Sequence, residues 1–433
     1  MKKRLRRRVL SRLLLTASFL ISPTLLRAQQ PTLSLRELID SVRASLPSIL
    51  AAESRVRAAA GSRTTAGLAG NPVLSYQVDQ TPFPGRPGLP GDIPRETMTT
   101  ATLPLEFLYQ RGARVARANA DVRAAQADAG AVRQRAALDA ASAFYRTALA
   151  QTRVETTREL ASWLDTLVAY NRARVEEGAA AEADLIRTTL EHDRMLAELA
   201  MREADLARAR ASLSAFGSGD ARTLVRPVVF PSQPLAIPSS LTATPRAEVR
   251  AARERVASAS AGVTSERRML VRQLGATIGT MQTMGTTSMI AGVSLPLPVF
   301  DINRGEVRRA AAERDAAEFE LAGQQRAARA ELQGASDAAT ALTTRMRQLA
   351  VTDSTGFLAR ADESRRIALG AYREGAVPLF QVIDAARAWA DARSTYYETL
   401  FAQHESVLML VAANGVDLFS TIADMPALGG PLR

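Results

Sequence analysis

The stretch "LPLPVFDINRG" (Leu295 to Gly305) has a partner upstream, "LPLEFLYQRG" (Leu103 to Gly112). Each copy lies between a short run of alternating apolar residues and a very long run rich in Ala, Leu, Arg and Glu. Two further matches flank this pair. "AAESRV" (Ala51 to Val56) recurs as "AARERV" (Ala251 to Val256), and "VEEGAAAEADL" (Val175 to Leu185) recurs as "YREGAVPLFQV" (Tyr372 to Val382). The matches share one order and lie 192 to 200 residues apart. That common order marks two homologous halves, which no single match would establish.

Each half reads helix, strand, strand, long helix, shorter helix. Apolar spacing of three and four in proline-free runs predicts helices over 34–68, 110–176 and 181–216, then 246–272, 304–372 and 377–414. Pro47 predicts a kink or a later start in the first of these. Each middle helix nears 70 residues, about 100 Å at 1.5 Å per residue. Rods of that length must pack against neighbours. The shorter helices of each half sum to about the same length, so two of them stacked end to end would match one long rod.

Strands are expected at about 72–79, 98–106, 274–282 and 288–298. Leu74, Tyr76 and Val78 oppose Ser75 and Gln77; Ala101, Leu103 and Leu105 oppose Thr100 and Thr102. Met289, Ala291, Val293, Leu295 and Leu297 oppose Gly292 and Ser294, with Ile290 breaking the polar face. Such alternation suits a barrel strand between lipid and water, or a soluble hairpin on a helix. Four strands cannot close a barrel, and open edges leave unpaired backbone groups in hydrocarbon. Either the strands are not in a membrane or several identical chains pool them. Pro104, Pro296 and Pro298 cannot donate to a ladder, so pairing ends there and a rod begins. With Gly112 and Gly305 they define two strand-to-helix hinges, from which Arg111 and Arg304 would emerge just below a bilayer. The Pro/Gly-rich stretch 79–97 and a short turn near 283–287 join the strands at the end remote from the helices.

Residues 1–28 read as a secretory signal peptide: a basic start, the apolar run "LLLTASFLI", Pro23, and Ala28 as cleavage point. Its eight basic residues leave +3 of the formal +11 for the rest, which removes the main support for nucleic-acid binding. There is no cysteine, so disulfides, thiolate metal sites, cysteine nucleophiles and a cysteine-borne lipid are excluded. No later segment reaches the roughly 18 apolar residues of a membrane helix, so any membrane span must use strands. The chain divides into 29–217, a linker at 218–245, a second repeat at 246–415 and a tail at 416–433.

These motifs together resemble the TolC-type outer-membrane efflux protein family over essentially the whole mature chain. "GVSLPLPVFDINRGEVRRA" (Gly292 to Ala310) is similar to its second-repeat signature, especially in the heavy-metal efflux branch. The final helical hairpin is matched by Gly370 to Gly415, and the first strand by "AGNPVLSYQV" (Ala69 to Val78). The resemblance implies a mainly α protein with a small β part: a homotrimer whose four strands per chain form a 12-stranded barrel in the outer membrane, continued by a periplasmic α-helical barrel. It implies docking to a periplasmic adaptor and an inner-membrane pump, with outer-membrane lipid around the strands.

Catalytic chemistry finds little support. The two histidines, His192 and His404, sit at non-equivalent places of the repeats, and a zinc site wants three or four convergent ligands. No phosphate loop or nucleophile elbow occurs. No cofactor or metal site is expected. The helix tips carry more. Gly178 and Gly375, preceded by Glu177 and Glu374, sit where a long helix reverses, as helix-ending glycines do. In the family such tips dock the adaptor. Asp384 matches an acidic ring position of the tunnel entrance, where its partner position is Gln381. Asp184 and Tyr372 match positions that hold a closed entrance by hydrogen bonds. The plainer reading pairs Asp184 with Arg187 and Asp384 with Arg387 on a solvated face. The leading function is a passive export duct; a periplasmic coiled-coil adaptor or an envelope scaffold is the alternative.

Overall fold

The computed structural model describes residues 32–79, 96–217, 227–228, 233–238, 244–269, 274–297, 299–351 and 355–424. The expected signal peptide, Pro298, nearly all of the 79–97 loop and most of the 218–245 linker lie outside the described residues. Helix α1 (Leu35–Ser45) opens with Ser34 accepting from the Glu37 amide at 3.2 Å. Pro47 starts a second helix, α2 (Pro47–Ala66), because the residue before proline is held extended: Leu46 has ψ 122°. Then come β1 (Val73–Asp79), β2 (Glu96–Pro104), α3 (Phe107–Glu176) and α4 (Glu182–Ser214). The second half holds α5 (Ala247–Arg268), β3 (Gly275–Thr283), β4 (Thr286–Ser294), α6 (Arg304–Leu349), α7 (Phe357–Arg373), α8 (Leu379–Ala413) and α9 (Leu418–Asp424).

One expectation is corrected. The predicted helix 304–372 is two helices, α6 and α7, whereas its counterpart α3 runs 70 residues without a break. The interrupting sequence "VTDSTG" (Val351 to Gly356) contains no proline. Among its described residues, β-branched Val351 and Thr355 disfavour helix locally, and Gly356 is extended (ψ 156°) where α7 starts.

The helices lie as four rods in a row. On one side of α3, α2 and α4 follow each other end to end: Arg63 bonds Asn119 at 2.5 Å and Arg158 pairs with Glu203 at 2.6 Å. On the other side run α5 and α8, where Arg255 meets Asp128 at 2.7 Å and Arg153 meets Glu398 at 2.6 Å. α6 and α7 line the far side of α5 and α8. These ion pairs are partly exposed and weak individually. Burial does the holding. The α3 face toward the other rods is alanine-rich (Ala136, Ala137, Ala140, Ala141 and Ala148 are all buried), which permits close approach. One core cluster, around Tyr145, Leu400, Val407 and Met346, lies at mid-height. A second, around Leu164, Ile383 and Trp389, lies toward the helix tips.

The strands form one antiparallel sheet in the order β1-β2-β3-β4, so the two halves meet at β2–β3. The register places Leu74, Tyr76, Val78, Ala101, Leu103, Ile278, Met289 and Val293 on one face. The other carries Ser75, Gln77, Thr100, Thr102 and Thr277, and the Thr102 and Thr277 hydroxyls bond across strands at 2.9 Å. Leu74 and Met289 are each 76% exposed. Met284 and Gly285, both at positive φ, make the two-residue turn between β3 and β4. Among the described residues β1 and β4 each keep one unpaired edge. Among the described residues no helix is long and apolar enough to cross a membrane.

At Gly279 an added Cβ would lie 2.2 Å from the Thr99 carbonyl oxygen. Gly279→Val should therefore break β2–β3 pairing. Urea-folding assays of membrane insertion should show little inserted protein, while far-ultraviolet circular dichroism keeps its helical signal.

Candidate functional site at the helix tips

Both rod reversals use the same device. At the first, the Gly178 amide donates to Val175 O (3.0 Å) and the Ala179 amide to Arg174 O (2.7 Å), with Gly178 at φ 71°. At the second, the Gly375 amide donates to Tyr372 O (3.0 Å) and the Ala376 amide to Ala371 O (2.8 Å), with Gly375 at φ 76°. This paired bonding closes a helix end and requires a left-handed residue. Glu177 and Glu374 are the last, cap residues of α3 and α7, and both are exposed.

Just inside the tips, a buried polar chain ties three helices. The Tyr372 hydroxyl of α7 donates to Asn171 Oδ1 of α3 at 2.7 Å. Asn171 Nδ2 donates to Thr188 Oγ1 of α4 at 2.9 Å, and the Thr188 hydroxyl donates to the Asp184 carbonyl at 2.7 Å. Asn171 and Thr188 are fully buried. Arg174 lies 5.7 Å from the ring centres of both Tyr170 and Tyr372. Burial raises the Tyr372 phenol above its ordinary value, against the pull of the Arg174 cation. Asp184 and Tyr372 thus belong to one network, joined through Asn171, with Asp184 contributing its backbone.

Gln381 and Asp384 are both exposed on α8. The expected Asp384–Arg387 pair is not formed. Arg387 instead grips Glu191 of α4 with both guanidinium arms, one at 2.9 Å, because Glu191 is nearly buried and needs a counter-charge. Above this, Trp389 is covered by Arg365 at 4.2 Å and Arg393 at 5.0 Å, and both arginines reach Glu159. Sequence reasoning missed Asn171, Glu191 and the Trp389 stack. The stripe Leu160, Leu164, Leu167, Asn171 could have exposed the first, since Asn171 is the polar member of a core-facing series.

The hinges sit where pairing ends. Pro104 closes β2 opposite Gly275, and Pro296 lies two residues beyond Ser294, the end of β4. Gly112 lies within the second turn of α3 and Gly305 within the first of α6. A residue not singled out, Asn303, is left-handed (φ 58°) and caps α6, its own amide bonded to Asp301 Oδ1 at 2.9 Å. His404 is buried at mid-height, with Nε2 at 2.9 Å from Gln233 O and Nδ1 at 3.3 Å from the Tyr145 hydroxyl. His192 lies on α4, 3.7 Å from Asp193. Among the described residues no cluster of metal-ligating side chains occurs.

Residues 38–216 match the outer membrane efflux protein family. The nickel-cobalt-cadmium resistance protein NccC of Alcaligenes xylosoxydans xylosoxydans is 26% identical over 273 residues, covering 62% of this chain. The match also spans only 62% of that relative's length. The outer membrane protein VceC of Vibrio cholerae superposes with a TM-score of 0.74 at 20% identity, over 88% of this chain and 96% of its own. The CmeC outer membrane channel of Campylobacter jejuni gives 0.75 at 15% identity, over 88% and 85%. The family match covers the first helix-strand-strand-helix-helix half, and over most of its length the chain has the fold of these solved outer membrane proteins.

Two outcomes follow. Asn171→Leu leaves the Tyr372 hydroxyl without its acceptor and removes the bond that Thr188 accepts, and should cost about 1–3 kcal/mol in a denaturant titration. Burial lowers His404 from 6.5 to about 4. Above pH 6.5 it is neutral folded or unfolded and contributes nothing. As pH falls toward 4, the unfolded chain binds a proton that the folded chain refuses, so stability drops by up to about 3 kcal/mol. His404→Gln should flatten that part of the pH–melting curve.

Proposed function

We propose that this protein is the passive outer-membrane duct of a tripartite efflux system, working as a homotrimer with a periplasmic adaptor and an inner-membrane pump. The carrying observation is that strand edges and rod edges coincide. β1 follows α2 and β4 precedes α6, so the two open sides of the sheet stand above the two open sides of the rod row. Those rod sides expose Ile186, Leu190 and Met201 on α4, and Phe319 and Ile367 on α6 and α7. One neighbour can cover both. Three copies give twelve strands and twelve rods, a closed wall around one tunnel.

In this reading 29–217 and 246–415 are the two repeats of the wall. Glu177–Gly178 and Glu374–Gly375 present the surface that the adaptor meets. Asp184, Tyr372, Gln381 and Asp384 belong to the entrance, with Asp384 from three copies forming a cation-attracting ring. Carboxylates brought together on an axis repel one another and favour a bound cation. Transport energy comes from the pump; the duct itself has no catalytic role and no cofactor. The metal-resistance relative makes divalent transition-metal cations the first cargo to test. The adaptor reading is disfavoured because a strand pair precedes each hairpin and the four strands join in one sheet.

Purified protein should form ion-conducting pores in planar bilayers. Asp384→Ala should weaken block by multivalent cations roughly tenfold or more, the size of a lost charge-assisted contact. Unchanged block would remove Asp384 from the entrance. Absence of pores would overturn the duct.

A further inference from the structure

The three helix–strand junctions around α3, α5 and α6 are laced together at one level. Arg111 Nε of α3 donates to Gly67 O at the end of α2 (2.8 Å). Arg268 Nη1 at the end of α5 donates to Tyr109 O of α3 (3.1 Å). Asn303 Nδ2 before α6 donates to Glu266 O of α5 (2.7 Å). The laced segments, 106–117, 266–268 and 301–309, hold eight arginines against four carboxylates, so each chain carries a net positive collar there. Arg267, Arg304 and Arg308 are exposed, and none of them joins an ion pair among the described residues.

Directly above the collar the chain is apolar and open. Leu295 and Leu297 continue the outward series of Met289 and Val293 beyond the last ladder pair, and are 52% and 75% exposed. Val299 follows at 69% and Phe300 at 100%. A fully exposed phenylalanine four residues before an unpaired arginine is costly in water. At the boundary between acyl chains and phosphates both side chains find their own solvent. Guanidinium also matches phosphate oxygens in charge and geometry.

We propose that this collar is a binding site for anionic phospholipid headgroups of the periplasmic leaflet. Arg304 and Arg308, with Arg267, hold the phosphates, and Phe300 with Val299 wedges into the acyl boundary. The site is a non-covalent anchor in a chain that has no cysteine to carry a lipid. It commits to lipid because the wedge continues the lipid-facing strand surface and the charge beneath it is positive. The proposal rests on the strands crossing the bilayer, as in the duct reading, but pore formation reads that separately.

The test uses the full-length protein in nanodiscs of phosphatidylethanolamine alone or with added phosphatidylglycerol. The readout is the melting of the assembled protein, at low and high salt. Phosphatidylglycerol should raise the melting temperature of the wild type, and salt should remove most of that rise. Arg304→Gln with Arg308→Gln should weaken phosphatidylglycerol affinity roughly tenfold or more, at about fivefold per arginine. Phe300→Ser should reduce the same lipid-dependent rise while leaving pore conductance intact. Equal melting in both lipids, or a double variant with an undiminished rise, overturns the proposal. So does a Phe300→Ser protein that falls apart equally in both lipids, which would mean that a neighbouring copy covers the wedge. Inorganic phosphate reproducing the rise would assign the arginines to a soluble anion and overturn it as well.

Discussion

An unpaired strand edge cannot rest in hydrocarbon, and this sheet has two of them. The remaining features follow from that requirement. A single chain could hide its edges by adding strands; this one continues each edge strand into an edge rod. In the proposed ring, the contact that satisfies the backbone groups of β1 and β4 would also cover the apolar side chains exposed on α4, α6 and α7. A single heterologous interface, repeated until the proposed ring closes, would then serve membrane and periplasm together. The sheet faces sort only in part: Leu74, Tyr76, Val78, Leu103, Ile278, Met289 and Val293 share one face with Thr97, Thr99 and Thr280, while Ser75, Gln77, Thr100, Thr102 and Thr277 share the other with Val73, Met98, Met281 and Ile290.

Below the sheet, one rod behaves differently from the other three. α3 runs unbroken past mid-height, while each neighbouring rod is assembled from two pieces. The interruptions collect around the same core cluster, which the connecting segments complete. Leu33 bridges to Val228, Leu235 is held through Gln403, and Gln134 of α3 reaches Val416. His404 and Tyr145 lie in this belt, where burial lowers the imidazole's pKa and raises the phenol's. The tips are tied differently, by a buried hydrogen-bonded chain and a two-armed arginine–glutamate grip. These ties lie beside the second apolar cluster, and a satisfied buried network of this kind fixes how α3, α4 and α7 are rotated against one another.

The repeat architecture was legible because it is written in periodicity and in ordered duplicate motifs, and "LPLPVFDINRG" did mark the passage from strand to rod. The break after Leu349 was not legible, since no proline announces it and the preceding composition favours helix. The tips were half legible. Gly178 and Gly375 show themselves because only glycine takes their φ easily. The partner of Arg387 depends on how α8 is rotated against α4, and that of Tyr372 on how α7 is rotated against α3, which spacing along one helix does not specify. An i,i+3 neighbour looked adequate for Arg387, yet a nearly buried Glu191 competes better for the same cation.

The central claim is that β1 of one copy pairs with β4 of the next. The absence of native cysteine permits a direct measurement: one cysteine at Ser75 on β1, and a second scanned along β4 from Thr286 to Ser294. After oxidation in the membrane, denaturing gels should show covalent dimers and trimers and nothing larger, strongest at alternate β4 positions. Monomer at every position, or a disulfide closing β1 onto β4 within one chain, would contradict the account.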